Sequence, residues 1–377
     1  MWFVPPLRFP EFSGEWKAET ITDACTLYNG RAYKQEELLS TGKYQVLRVG
    51  NFFTNDSWYY SDLELDEQKT IVKGDLLYAW SASFGPRFWT GEKAIYHYHI
   101  WKVIPKEHID KYYLYYFLYK DSLIIKSKSQ GGTMVHVTKG DMEKRPMQFP
   151  CLEEQRKIAK LLSLLDERIA TQTKIIEDLK KLKSAIIHRC YSSQTNMIPL
   201  SELLKQCSDR NRSGSDLQVL SVSNKYGFIA QSNQFEDREV ASDDTSNYKV
   251  VKKGMFAYNP ARINVGSIAL YEMDGNGIVS PMYVCFTTKS ELLPSYLKYY
   301  FASQTFKHEM YKRLEGSVRL CLTFEELCNI EIHLPSIEQQ KNISKYISKI
   351  ENNLSLVDSI FSKYQQQRRY LLSQMFI

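Results

Sequence analysis

Alternating steps of four and three residues from Ile158 land on Ile158, Leu162, Leu165, Ile169, Gln172, Ile176, Leu179, Lys183 and Ile186, of which seven are apolar. That is a sustained heptad stripe, the pattern of a long helix with one face to bury. A shift of 185 residues gives Ile343, Ile347, Ile350, Leu354, Val357, Phe361, Tyr364, Arg368 and Leu371, of which eight are apolar or aromatic. Neither proline nor glycine interrupts Leu152 to Cys190, or Ile337 to the C-terminus. Ser336-Ile337-Glu338-Gln339 reads as a capping box, and Glu153 and Glu154 set negative charge at the positive end of the first helix. Pro150 and Pro335 fix the entries. About 38 residues at ~1.5 Å each make a rod of ~57 Å, and its stripe needs a cover. The expectation is that the two helices pack on each other antiparallel within one chain. Docking of each helix on its own globular domain, or pairing between chains, would also cover it.

Between the helices the period changes. Residues 1–151 and 192–336 are dominated by short strand-like runs with turn punctuation: Tyr44–Val49, Asp75–Trp80, Tyr96–Ile104, Gln218–Val222, Met255–Tyr258 and Ile278–Thr287. Gln45 to Asn51 matches Gln218 to Asn224, and Tyr113-Leu114-Tyr115-Tyr116-Phe117 matches Tyr296-Leu297-Lys298-Tyr299-Tyr300. Gly74 and Gly254 occupy equivalent turns. Each domain then carries a tyrosine-rich amphipathic helix, Lys111–Lys126 and Pro294–Lys312, followed by a glycine turn at Gly131-Gly132-Thr133 or Gly316-Ser317. The chain is therefore a duplication of whole domains, far longer in period than the 20–50 residues of a solenoid. The segments expected are 1–151, 152–191, 192–336 and 337–377. The framework repeats while the strand loops do not: Asp75–Trp89 and Met255–Leu270 share almost nothing. Two similar halves can present two similar surfaces to a partner with two-fold symmetry, such as duplex DNA.

Composition narrows the class without naming it. A 43% apolar, 24% charged chain of 377 residues with net charge +6 is an ordinary globular protein whose basicity permits a polyanion partner. Seven cysteines without a Cys-x-x-Cys argue against a disulfide framework or zinc ribbon. No signal peptide or 18-residue apolar run is present, so the expectation is a soluble cytoplasmic protein with no membrane segment. No phosphate-binding loop or dinucleotide fingerprint occurs. Tyr258-Asn259-Pro260-Ala261 falls short of the Asn-Pro-Pro-aromatic signature of adenine methyltransferases, since it lacks the second proline and the stacking aromatic. His97 and His99 would share one face of a strand, without a third metal ligand in sight. The chain reads as a binder, with no catalytic residues, cofactor or metal expected.

The tandem elements resemble the specificity subunit of Type I restriction–modification systems. The resemblance rests on a variable β-rich domain, the Lys73-Gly74-Asp75 and Lys253-Gly254-Met255 turns, the Gly-Thr/Ser loop and a Pro-x-x-Glu-Gln-like helix start, each present twice. It covers essentially the whole chain. Met255 stands where aspartate is usual, and the helix starts read Glu153-Glu154-Gln155 and Glu338-Gln339-Gln340. The resemblance implies an α+β fold with two target-recognition domains in tandem pseudo-repeat, separated by two long helices packed as an antiparallel coiled coil. It implies a non-enzymatic subunit that reads the two halves of a split site in double-stranded DNA. Two adenine methyltransferase subunits and restriction (motor-nuclease) subunits would be its partners, separate or fused. A rod of ~57 Å exceeds one ~34 Å turn of DNA, enough to set two readers a turn apart. Candidate DNA-contacting residues are Arg48, Asn51, Trp80, Ser81, Ser83, Arg87, Thr133, His136 and Lys139 in the first domain. In the second they are Asn224, Lys225, Tyr226, Asn259, Arg262, Asn264, Ser317 and Arg319. Arg and Asn suit purine edges; Ser, Thr and Lys suit phosphates. The alternative is a coiled-coil scaffold whose paired domains bind proteins and read no DNA sequence.

Overall fold

The computed structural model describes residues 4–53, 55–81, 85–128, 137–193, 195–212, 214, 216–231, 244–316 and 320–376. They divide into two compact units, the first formed by Met1–Thr173 with Ile360–Ile377 and the second by Lys174–Ser359. The first unit holds strands β1 (Lys17–Thr20), β2 (Cys25–Asn29), β3 (Tyr44–Leu47), β4 (Tyr59–Ser61), β5 (Thr70–Ile71), β6 (Leu76–Ala79), β7 (Gly85–Phe88), β8 (Ala94–Tyr96), β9 (Ile100–Pro105) and β10 (Pro146–Phe149). They pair as β2-β9-β6-β7, β4-β3-β8-β5 and β1-β10. The second unit holds β11 (Met197–Pro199), β12 (Leu204–Cys207), β13 (Gln218–Ser223), β14 (Gly227–Ala230), β15 (Lys249–Val251), β16 (Phe256–Tyr258), β17 (Ile268–Leu270), β18 (Gly277–Val279), β19 (Val284–Thr288) and β20 (Glu331–His333). Their orders are β12-β19-β16-β17, β14-β13-β18-β15 and β11-β20, the first unit's orders with ten added to every number. Even the parallel pairings coincide, β3 with β8 and β13 with β18. The fold is α+β, and the duplication is one of topology.

Three expected elements end differently. The run Tyr96–Ile104 is two strands with a turn at His97–His99, so the two histidines do not share a strand face. Likewise Ile278–Thr287 breaks into β18 and β19 around residues 280–283, where Ser280 and Pro281 interrupt the ladder. The tyrosine-rich helix is continuous in the first unit, Lys111–Lys128, but split in the second into Pro294–Phe301 and Gln304–Lys312. Ser303 causes the split, its hydroxyl capping the new helix by accepting from the Phe306 N–H at 3.0 Å.

Many tyrosines are core residues with tethered hydroxyls. Tyr113, Tyr191, Tyr258, Tyr296 and Tyr300 are buried, and their hydroxyls donate to the carbonyls of Gln148, Tyr296, Leu322, His333 and Glu331 respectively. Burying an aromatic while satisfying its polar tip lets each ring contribute its full apolar area. The glycine turns also match. Gly74 and Gly254 both adopt φ +92°, a left-handed conformation that a side chain would strain. The departure at Met255 is compensated locally. Asp75 accepts from the Val72 N–H at 2.8 Å and pairs with buried Lys102 at 3.0 Å. In the second unit Met255 Sδ takes the N–H of Lys252 at 3.3 Å, and the register puts Cys285 where Lys102 stands. An ion pair has been exchanged, both partners together, for two sulfur-bearing apolar side chains.

The long helices span Leu152–Tyr191 and Ile337–Gln374. Each begins on a buried glutamine with the same three bonds. Gln155 accepts from the Asp110 N–H at 2.8 Å and donates to the His108 and Pro150 carbonyls at 3.0 Å. Gln340 accepts from the Leu293 N–H at 2.8 Å and donates to the Glu291 and Pro335 carbonyls at 2.9 Å. The heptad positions are all buried or half-buried. In the first unit Ile158, Leu162 and Leu165 share a core with Leu371 and Leu372 from the other helix and with Tyr113, Tyr116 and Phe117. The stripe therefore serves the helix pair and the β-rich core at once. Its two charged interruptions, Arg368 and Lys183, are ion-pair sites. Arg368 pairs with Asp166, which also accepts from Tyr116 Oη at 2.9 Å. Lys183 pairs with Glu351 at 2.6 Å, which also accepts from Tyr299 Oη at 2.9 Å. The central helix supplies the acid in the first unit and the base in the second. Ile186 and Ile343 pack against the second unit's core, where Ile187 and Ile347 are buried.

Two stability predictions follow from these pairs. Asp75→Met leaves the Lys102 ammonium buried without its counter-ion, with the Thr70 carbonyl still accepting from it at 3.1 Å, and costs ~3 kcal/mol; adding Lys102→Cys, which completes the second unit's version, recovers most of it. Urea unfolding of the full chain reads both, and equal midpoints for the single and double variants would reject the exchange. Arg368→Met should destabilise by ~2 kcal/mol, as expected for losing a charge-assisted hydrogen bond, and more than Lys183→Met, whose pair is more exposed.

Candidate nucleic-acid interface

Sheet register gathers three connections at one end of each unit. Because β3 and β8 run parallel, the residues after Leu47 and after Tyr96 leave the sheet on the same side. Ala79 pairs with Ile100, so the β6–β7 connection begins beside the β8–β9 turn. The second unit repeats this: the residues after Ser223 and Val279 leave together, and Tyr258 opposite Val284 brings in the β16–β17 connection. Val137 and Leu322, which follow the glycine turns in sequence, also reach this end. Val137 donates to the Trp80 carbonyl at 3.5 Å, and Leu322 donates to that of Pro260 at 3.2 Å.

In the first unit Arg48 is exposed with its guanidinium 5.2 Å from the Tyr59 ring. Arg87, on β7, is also exposed and lies 4.8 Å from Phe53 and 5.9 Å from Phe52. Both phenylalanines belong to the helix Val49–Phe53 that follows Arg48, so the two arginines flank one short helix. Contact with an aromatic ring braces each guanidinium, and among the described residues neither makes a side-chain hydrogen bond or ion pair. Asn51 is committed to its own loop, its Nδ2 donating to the Asn55 and Ser57 carbonyls. Trp80 is half-buried, bonded through Nε1 to the Tyr98 carbonyl at 2.9 Å and stacked 5.9 Å from Trp101. Ser81 is buried, and Lys139 sits 3.5 Å from Glu143. Ser83, Thr133 and His136 lie outside the described residues.

The β8–β9 turn carries two imidazoles with ring centres 4.9 Å apart. His97 is pushed down to about 4 by burial first, then by His99 and by the Arg48 guanidinium. Among the described residues no three His, Cys, Asp or Glu side chains gather as a metal would require.

In the second unit the connections enclose a cavity of about 500 Å³ lined by Asn224, Asn259, Arg262, Val265 and Met282. Asn259 caps its turn through Oδ1, which accepts from the Ala261 N–H at 3.1 Å. The chain then passes through a 3-10 turn at Ile263–Val265 to Gly266 at φ +91°. Arg262 is exposed there, without a side-chain hydrogen bond or ion pair among the described residues. Asn264 lines a neighbouring cavity of about 450 Å³ with Lys307. Lys225 and Tyr226 project from the β13–β14 turn, the ammonium 4.9 Å from the ring. Ser317 and Arg319 lie outside the described residues. Sequence reasoning missed Val265 and Met282, 53% and 62% exposed on the cavity rim. The Ser280-Pro281 step, which ends β18, was the available signal for Met282.

No helix among the described residues is long and apolar enough to cross a membrane. The family model for the Type I restriction modification DNA specificity domain matches residues 13–181 and 213–360. The specificity subunit of the Type I restriction enzyme MjaVIII of Methanocaldococcus jannaschii is 27% identical over 93% of this chain and 88% of its own. That of EcoBI from Escherichia coli is 19% identical over 92% and 80%. Among solved structures, the Type I S subunit from M. genitalium superposes with a TM-score of 0.67 at 18% identity, covering 100% of this chain and 99% of the other. A chain from a structural study of complex assembly and conformational transition in the type I system gives 0.55 at 16% identity, with 98% and 99% covered.

Because His97 is depressed in the folded chain, the unfolded chain binds the extra proton as pH falls from ~6.5 toward 4. Stability should therefore decline across that window, and His97→Gln should lose less between pH 7 and pH 5 than the native chain. Urea midpoints at the two pH values check this; equal losses would mean that the imidazole is not held neutral.

Proposed function

We propose, from the premise that this chain belongs to the Type I restriction modification DNA specificity family, that it selects a bipartite site in duplex DNA by reading one half with each unit. As a specificity subunit it is not itself an enzyme. The observation that carries the two-reader proposal is one ten-strand scaffold, present twice, bearing unlike loops at the same end. A constant scaffold fixes where a base edge is met, and the loops decide which base is accepted. In the first unit Arg48 and Arg87, braced on aromatic rings, suit guanine O6 and N7. In the second, Asn224, Asn259 and Arg262 would read base edges. Lys139 and Lys225, with Ser83, Thr133, His136, Ser317 and Arg319 of the loops, would take phosphates or flanking contacts.

The partners are two adenine methyltransferase subunits and the restriction subunits they recruit, and the reading places their docking on the long helices. Leu164, Leu182, Tyr346, Leu356 and Tyr370 support it, since all are exposed and lie off the heptad stripe. Apolar groups in such positions are characteristic of surfaces that partners cover.

Direct detection of N6-methyladenine in a genome carrying this chain and its methyltransferase tests the reading. The expected outcome is a split motif, two specific halves around a fixed gap, that vanishes without this chain. Exchanging residues 192–336 for those of another family member should change one half alone, and Arg262→Ala should relax one base position there by ~1–3 kcal/mol. Changes in both halves would overturn independent reading, and a methyltransferase that is active yet indifferent to this chain would overturn the function.

A further inference from the structure

The second unit's cavity has a chemical bias that its basic and amide side chains alone do not express. Asn259 spends one lone pair of Oδ1 on the Ala261 N–H, and its Nδ2 faces Met282 Sδ at 3.6 Å. An amide offers two acceptor sites and two donor hydrogens, so among the described residues one of each remains uncommitted. One acceptor beside one donor is the complement of adenine in the major groove, whose N6 donates and whose N7 accepts. The turn also fixes the amide's orientation, because rotating it would aim its NH2 group at the Ala261 N–H.

Met282 gives the second half of the pattern. It is 62% exposed at the tip of the β18–β19 connection, held toward Asn259 by the sulfur contact, with Val265 53% exposed on the same rim. Large apolar side chains in those positions would rest against water unless an apolar feature of the ligand covers them. In the major groove the C5-methyl of thymine is that feature, and in an A·T pair it lies on the same edge as adenine N6 and N7. Tyr258-Asn259-Pro260-Ala261, left without a role by its mismatch to a methyltransferase motif, acquires one here. Its asparagine is set by the Ala261 N–H, and its Pro260 carbonyl accepts from Leu322 at the end of the glycine loop.

Resting on the DNA-specificity reading above, we infer that Asn259 and Met282 together read a single A·T base pair in one half-site, Asn259 taking the adenine edge and Met282, with Val265, the thymine methyl. Arg262 beside them reads a neighbouring base.

The test uses the full chain assembled with its methyltransferase, on duplexes carrying the methylation motif of that complex. The half-site belonging to this unit is the one altered when residues 192–336 are exchanged. Deoxyuridine is substituted for thymine at each position of that half in turn, which removes only the methyl. At one position affinity should fall about fourfold, the equivalent of ~0.8 kcal/mol for one buried carbon at tenfold per ~1.4 kcal/mol. Met282→Ala should make thymine and uracil equivalent at that position alone, and Met282→Leu should keep the preference. Asn259→Asp retains an acceptor for the Ala261 N–H but loses its donor, so the accepted pair should move from A·T toward C·G, whose cytosine N4 donates to a carboxylate. Insensitivity to deoxyuridine throughout the half-site would overturn the inference, as would thymine preference surviving in Met282→Ala. Both outcomes would leave the motif itself, and hence the DNA-specificity reading, standing. Failure to find any motif would remove that reading instead.

Discussion

A carboxylate held between a tyrosine hydroxyl and a cation joins helix to helix and helix to β-rich core in each unit. Asp166 lies between Tyr116 and Arg368, and Glu351 between Tyr299 and Lys183. The participants correspond across the duplication, Asp166 with Glu351 and Lys183 with Arg368, 185 residues apart. Each ion pair is therefore the other with the helices exchanged, which is what antiparallel pairing of two copies of one helix requires. Burial raises both phenols, with the facing carboxylate adding to it, so each hydroxyl stays protonated and donates. Without these contacts the heptad stripe would still bury its apolar residues, but neither register nor orientation would be specified so narrowly.

The second constraint is the buried glutamine at each helix start. Gln155 and Gln340 bond to the preceding proline carbonyl and to the backbone just before the tyrosine-rich helix. One side chain thus locks the long helix to the β-rich domain at a defined angle. Leaving those buried backbone groups unpaired would cost several times what any exposed ion pair contributes. A scaffold anchored in this way tolerates change elsewhere. The exchange of Asp75 and Lys102 for Met255 and Cys285 altered the chemistry of a turn without altering its shape. The three connections at the functional end diverged further still, one unit bracing arginines on aromatic rings and the other enclosing a cavity.

Periodicity in the sequence determined the long helices, their polar interruptions and the duplication, because a heptad repeat and a 185-residue self-match are properties of residue order alone. The strands were legible as a class but not in their ends: the His97–His99 turn carries no glycine or proline to mark it, while the Ser280-Pro281 step is a local mark of the break between β18 and β19. The positions of Arg48, Arg87, Asn224, Asn259 and Arg262 at one end of their units were decided by sheet pairing between segments far apart in the chain: β3 with β8 and β13 with β18 in parallel, β6 with β9 and β16 with β19 antiparallel. The antiparallel pairing of β16 with β19, Tyr258 opposite Val284, brings Met282 against Asn259, whereas the Asn51 amide is committed by contacts within its own loop. Local pattern encodes which face of an element is buried. Which loops meet at its end depends on long-range hydrogen bonding, and that is settled only when the sheets form.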